Sequence, residues 1–147
     1  MKKRSAVTRQ RRKAVTKESR MTIGSDPLNI HRVENFLLKI NRSVKVDDER
    51  FGILLVVVTE AVNNAIIHGN NRNSLKHVLI VCSWNRKQLK VKVKDEGAGF
   101  DPSMLPSPIH EDNLMRESGR GVFLMRELME KVTYNKKGNE VTMMMKL

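Results

Sequence analysis

The stretch from Asp48 to Gly69 makes two demands on any fold this chain can adopt. Phe51, Leu54, Leu55, Val58, Val62 and Ala65 recur at spacings of three and four, which predicts a helix with a core stripe. Glu60, Asn63, Asn64 and His68 stand at i, i+3, i+4 and i+8, so at 100° per residue they share another face. Burying such side chains unpaired costs roughly 1–3 kcal/mol each. An acid, two amides and an imidazole at the end of an apolar helix therefore need a reason, and a ligand is one.

The rest of the chain supplies what this helix packs against. RMTIGS (20–25) reads as a short edge strand. Asp26-Pro27 starts a first helix, in which Ile30, Val33, Phe36, Leu37 and Ile40 carry the periodicity to about Asn41. Asp47 or Asp48 caps the second helix, and Gly69 with the polar run after it ends it. Two strands, Val78 to Trp84 and Leu89 to Lys94, meet around Asn85-Arg86-Lys87. In the second, Leu89, Val91 and Val93 alternate with Lys90, Lys92 and Lys94, giving one buried and one wet face. Asp101 to Ser118 is a long loop, of the kind that serves as a lid or binding loop.

Gly119 opens a third helix with Val122, Met125, Leu128 and Met129 inward and Arg126, Glu127, Glu130 and Lys131 outward. Residues 132–135 and 140–147 close the chain as a hairpin. The order β-α-α-β-β-loop-α-β-β implies a two-layer α+β sandwich, with one antiparallel or mixed sheet and helices on one face.

Charge separates the N-terminus from the remainder. Residues 1–20 hold nine Lys/Arg and one acid, Glu18, a net of +8 out of the total +12. A basic block without an aromatic reads as a solvated, flexible tail ahead of a domain at 21–147. Binding of nucleic acid through this tail is the less favoured reading, because no recognition module or stacking aromatic accompanies the charge. The single cysteine, Cys82, excludes an internal disulfide framework. The longest apolar run, Ile53 to Val58, is far shorter than the roughly 20 residues a bilayer span needs. The expected setting is the cytoplasm, with no membrane partner.

Two more polar islands could meet the helix. Asp95-Glu96-Gly97-Ala98-Gly99 follows a strand directly. Its glycines let the backbone approach a flat or phosphorylated ligand, and its carboxylate can accept hydrogen bonds from an exocyclic amine. Ser118-Gly119-Arg120-Gly121 precedes the third helix, where backbone amides and the helix dipole favour an anion and Arg120 could add a charge-assisted contact. Taken singly, the first is better read as a tight turn and the second as a flexible helix entry.

Taken together, E-x-x-x-N on a helix, D-x-G-x-G after a strand and G-x-G before a helix resemble the N, G1 and G2 boxes of the GHKL (Bergerat-fold) ATPases. These include the histidine kinase-like ATPase domains. TEAVNNAIIHGN, DEGAGFDP and SGRGVFLMRELME look most like the small bacterial anti-sigma-factor serine/threonine kinases, and the resemblance covers about residues 21–147. It implies the Bergerat fold, with a mixed, mainly antiparallel sheet.

The same resemblance implies ATP and Mg²⁺, with Asn64 ligating the metal between the phosphates. It implies that Glu60 is the catalytic base toward a hydroxyl; Ile53, Val56, Val57 and Ile67 on its helical face suggest partial desolvation. Asp95 would select adenine, with Gly97 and Gly99 lining the base. Gly119, Arg120 and Gly121 would cover the phosphates.

The chain departs from the family pattern twice. Relatives often place a lid arginine where this chain has Glu117, with Arg116 one residue earlier, so Arg116 and Arg120 are both candidates for that cation. The usual Gly-Thr-Thr turn behind the adenine-binding acid is Gly138-Asn139-Glu140-Val141-Thr142 here, with Thr142 the substitute.

His68 reads as a residue serving the last helix carbonyls, and Met143-Met144-Met145 as core strand positions. The implied partners are an anti-anti-sigma (STAS-like) protein as phosphoacceptor, a sigma factor or analogous regulator, and a second copy in a homodimer. The alternative is a nucleotide-binding partner switch without significant kinase activity.

Overall fold

Asp26 and Asp47 begin the two helices, as their sequence context predicts. In the computed structural model, which describes residues 14–104 and 125–147, the Asp26 carboxylate accepts from Leu28 N at 2.9 Å. This caps a 3-10 turn, Pro27–Asn29, that runs on into α1 (Ile30–Val44). Asp47 accepts from Arg50 N at 2.9 Å and caps α2 (Asp48–Asn64), whose first-turn Asp48 and Glu49 complement the helix dipole. α1 outlasts the expected end at Asn41 by three residues. The Asn41 side chain accepts from Val46 N at 2.9 Å, so it holds the chain after the helix rather than ending it.

α2 gives way to a π turn, Ala65–Gly69, in which Asn70 N reaches back to Ala65 O at 2.8 Å. Such wide turns are rare and occur frequently at functional sites. The joined helix, Asp48–Gly69, has 22 residues and a mean hydropathy of 1.6, enough in length and composition to cross a bilayer. Its stripe of Leu54, Val57, Val58, Val62 and Ile66 instead packs into the protein core.

Five strands form one sheet in the order β1-β2-β3-β5-β4, and all four pairings are antiparallel. They are β1 (Lys17–Gly24), β2 (His77–Trp84), β3 (Gln88–Lys94), β4 (Lys131–Tyr134) and β5 (Glu140–Lys146). The register builds apolar rows across the sheet. Met21, Ile80, Val93, Val141 and Tyr134 make one, and Val91 between Cys82 and Met143 lies at the centre of the next. Val78, Ile80, Cys82, Leu89, Val91, Val93, Val141, Met143 and Met145 are buried in the same core as α1 and α2, while Lys90 and Lys94 are exposed. The two-layer expectation and the alternation in β3 are both borne out.

Three expectations need correction. β1 starts at Lys17, so Lys17–Arg20 are strand and not the end of a solvated tail. Antiparallel pairing with β2 up to Trp84 decides this, and local charge does not reveal it. The helical segment at 125–128 stops before residue 131, and Lys131 opens β4. Met125 and Met129 are buried as expected, but Leu128 is 38% exposed, because the chain leaves the helix before another turn can cover it. Arg116, Glu117, Gly119, Arg120, Gly121 and Val122, with the lid and phosphate roles expected of them, and most of the tail lie outside the described residues.

Candidate functional site

The last turns of α2, the end of β3 with the loop after it, and the β4–β5 hairpin surround a cavity of about 360 Å³. That is toward the lower end of small-ligand pockets, which run to roughly 1,000 Å³. Ala61, Asn64, Ala65, His68 and Gly69 line it from the helix. Val93, Asp95, Ala98, Gly99 and Phe100 form a second wall, and Tyr134, Gly138, Asn139, Glu140 and Val141 a third, with Met125 beside them. The walls are largely apolar, with a few polar groups converging on the space.

Two carboxylates line the cavity: Glu140 is half-buried, and Asp95, at 9% exposure, is the buried one. Its carboxylate accepts from Gly97 N at 2.8 Å. Burial holds its pKa above the ordinary 3.8, while the Gly97 N–H and the charges of Lys137 and Lys76 pull it back down. A carboxylate that accepts one hydrogen bond among the described residues still has an oxygen to offer a donor.

Glycine is required where the walls meet. A Cβ on Gly97 would stand 2.0 Å from Gly69 O, and one on Gly69 would stand 2.4 Å from the Asp95 carboxylate. Gly99 and Gly138 both have φ of +77° and lean on the opposite strand's turn, Gly99 against Lys137 O and Gly138 against Phe100 O. These two contacts clasp the loop after β3 onto the β4–β5 turn.

We expect Gly97→Ala to cost about 2–3 kcal/mol, since neither backbone can yield without moving Asp95. Thermal melts would register the loss. A Tm matching the parent's would show that the wall is not rigid there.

The sequence-derived site residues separate into groups. Asn64, Asp95 and Gly99 line the cavity together. Gly97 is buried behind Asp95, supporting the wall without lining it. Glu60 and Asn63 are half-buried and off the cavity. The lining positions 61, 64, 65 and 68 centre about 90° around the helix from Glu60, which stands on the flank one turn before Asn64. Of the neighbours expected to desolvate Glu60, Val57 is buried but Val56 is 48% exposed.

His68 stands in the last turn of the π segment and lines the cavity. Thr142 is not the support behind Asp95. It pairs with Lys92 and Thr133, on the strand positions that alternate with the buried Val141 and Met143. Asn139 has that place instead: Asp95 N donates to Asn139 O at 2.9 Å, and Asn139 Nδ2 donates to Asp95 O at 3.1 Å.

Phe100 and Tyr134 also escaped the reading of motifs. Their rings meet edge to face, with centroids 5.2 Å apart at 73°, and give the cavity an aromatic side. Burial raises the Tyr134 phenol above its ordinary pKa, against the opposing charge of Arg126. Only the Phe in DEGAGFDP and the β-propensity around Tyr134 could have pointed to the pair.

A half-open, largely apolar slot with an aromatic side and one buried carboxylate suits a flat heterocycle carrying an amino group. Asn64, on the helix wall, offers an amide oxygen to a cation. Mg²⁺ prefers oxygen ligands and retains waters, so one amide oxygen with phosphate oxygens is a chemically fitting donor set.

Comparison with known proteins gives a concordant result. The family model described as "Histidine kinase-like ATPase domain" matches residues 23–145. The serine-protein kinase RsbW of Staphylococcus epidermidis is 32% identical over 96 residues, covering 60% of each chain. That of Oceanobacillus iheyensis is 30% identical over 99 residues, covering 63% of each. The matched stretch therefore spans less than two thirds of these relatives. Among solved structures, the RsbU and RsbW domains of Rv1364c from Mycobacterium tuberculosis share the fold. The TM-score is 0.61 at 13% identity, over 88% of this chain and 32% of that one.

Proposed function

The chain belongs to the histidine kinase-like ATPase family, and from that premise we propose that it is an ATP-dependent serine/threonine protein kinase of the anti-sigma-factor type. It would phosphorylate a STAS-like anti-anti-sigma partner and sequester a sigma factor or analogous regulator, working in the cytoplasm, with a homodimer as its assembly. The domain would be 21–147 with β1 joined to it, and the basic residues ahead of it a tail. The observation that carries the nucleotide part is that Asn64 and Asp95, from different walls, line one largely apolar cavity. The similarity to serine-protein kinases supports the transfer part.

In this reading Asp95 accepts from the adenine amino group, and Ala61, Ala65, Val93 and Phe100 enclose the ring. Gly97 and Gly99 keep the backbone close to it. Asn64 holds Mg²⁺, which supplies charge neutralisation on the phosphates. Gly119, Arg120 and Gly121 cover the phosphates, and Arg116 is the other candidate cation.

Glu60 takes the proton from a partner Ser or Thr hydroxyl as its oxygen bonds to the γ-phosphorus. The bond to the β-phosphate oxygen breaks and ADP leaves. Little covalent help is needed, since positioning and charge neutralisation do most of the work.

The test is incubation with radiolabelled ATP, Mg²⁺ and a purified STAS-domain protein from the same organism. Label on a partner Ser or Thr is the expected result. A second reading, a nucleotide-dependent partner switch without transfer, takes its support from the position of Glu60 off the cavity. Tight ATP binding with no label in the partner would favour that reading and overturn the kinase.

A further inference from the structure

Four polar side chains are buried among the described residues: Ser25, Asn70, Asp95 and Asn139. They belong to one hydrogen-bonded system around the cavity. Asn70 is its hub, fully buried at 0% exposure. Its Nδ2 donates to Ser25 Oγ and to His77 O, both at 2.9 Å, and its Oδ1 accepts from Glu96 N at 2.8 Å. Ser25 Oγ donates onward to Lys76 O at 2.7 Å. One side chain thus ties the end of the α2 π turn to the β1–α1 connection, the start of β2 and the residue after Asp95.

Asn139 grips Asp95 from the other side. It exchanges two hydrogen bonds with the Asp95 backbone, and its own Oδ1 accepts from Asn135 Nδ2 at 2.7 Å. Asn135 Oδ1 in turn accepts from Gly138 N at 2.8 Å and Asn139 N at 3.1 Å. Both amides are spent within the protein, and neither uses the Asp95 carboxylate. Between them, the backbone on both sides of Asp95 is fixed to two different cavity walls.

We infer that Asn70 and Asn139 are positioning residues forming an amide clamp that aims the Asp95 carboxylate into the cavity and so sets the choice of purine base. This rests on the nucleotide reading of the cavity and deepens it. A buried group held from both sides rejects a mismatched partner sharply, because it cannot swing away to find another. Loosening the clamp lets the carboxylate relax, so discrimination falls more than affinity for the ring itself.

The experiment compares ATP with ITP, which has a keto oxygen in place of the amino group. Dissociation constants for both and the Tm are measured for the full chain, Asn70→Ala, Asn139→Ala and Asn41→Ala. Asn41 is the control, an amide that bridges Val46 far from the cavity. The expected result is a preference for ATP over ITP that falls roughly tenfold in each clamp variant, equivalent to about 1.4 kcal/mol. Asn41→Ala should lower Tm and leave the ratio alone.

Should Asn70→Ala fail to fold, Asn139→Ala carries the test by itself. A ratio unchanged in Asn139→Ala, with only Tm reduced, overturns the clamp while leaving the nucleotide reading in place. A parent protein with no preference between ATP and ITP sinks that reading, and the inference with it.

Discussion

Glu60→Ala is expected to slow phosphotransfer to the partner hydroxyl by roughly 10²–10⁴-fold, the usual worth of a positioned general base. ATP affinity should stay within about threefold, the pattern of a group used only in the transition state. The separation follows from geometry: Glu60 is half-buried on the flank of α2 and off the cavity, whereas Asn64 one turn later lines it. Removing its carboxylate therefore takes nothing from the walls around the base. Single-turnover transfer and nucleotide titration on the same preparation measure the two effects. Undiminished transfer would mean that another group takes the proton, and parallel loss of binding would mean that Glu60 supports the nucleotide itself.

Asp95→Asn should weaken ATP binding by roughly 100-fold or more, the cost of losing a charge-assisted hydrogen bond and opposing two donors. Gly97 N–H requires an acceptor where Asp95 Oδ1 now sits. The substituted amide must therefore point its oxygen at Gly97 and its NH₂ at the cavity, where the adenine amino group would meet another donor. ITP, with an acceptor there, should lose far less.

The same change should stabilise the empty protein. Burial raises the Asp95 pKa above 3.8, so the folded carboxyl keeps its proton to a higher pH than the unfolded one. That contribution favours the folded state below 3.8 and is lost as pH rises through the raised folded value. Asn carries no such penalty. The Tm of Asp95→Asn should exceed the parent's near neutral pH, and the gap should close as pH falls toward 3.8. A variant less stable than the parent at neutral pH would show that the carboxylate's charge, through Gly97 N–H, Lys137 and Lys76, outweighs its desolvation.

What was legible in the chain was mostly local. The Asp47 cap, the stripe of Leu54, Val58 and Val62, and the alternation of Leu89, Val91 and Val93 each express a period or a cap within a few residues. Two of the three motif islands also meet at the cavity, since Asn64 of the first and Asp95 and Gly99 of the second line it together. What stayed hidden depends on partners distant in sequence. Lys17–Arg20 look like tail until β2 offers them a ladder. Asn70 sits in a run of polar residues that reads as a helix terminator, and its worth comes from Ser25, His77 and Glu96. Thr142 was the expected support for Asp95 because of its type, yet the β5 register turns it away from the buried face and Asn139 takes over from the hairpin turn. The flank position of Glu60 shows a further limit: a shared helical face is broad, and only the packed neighbours decide which part of it faces the cavity.

The strand order also bears on how the chain reaches its native state. β2 pairs with β3, and β4 with β5, as hairpins closed by short turns that cost little entropy. β1 must reach across both helices to β2, and β5 must reach across the whole stretch from Asp95 to Asn139 to join β3. Such distant closures are slow, because the loop is paid for before any contact returns the cost. The two ends of that second closure, Asp95 and Asn139, are hydrogen-bonded to each other in the cavity wall. The pocket therefore comes into being only when the β4–β5 hairpin joins β3, and a half-made chain emerging from the ribosome has no place for a nucleotide.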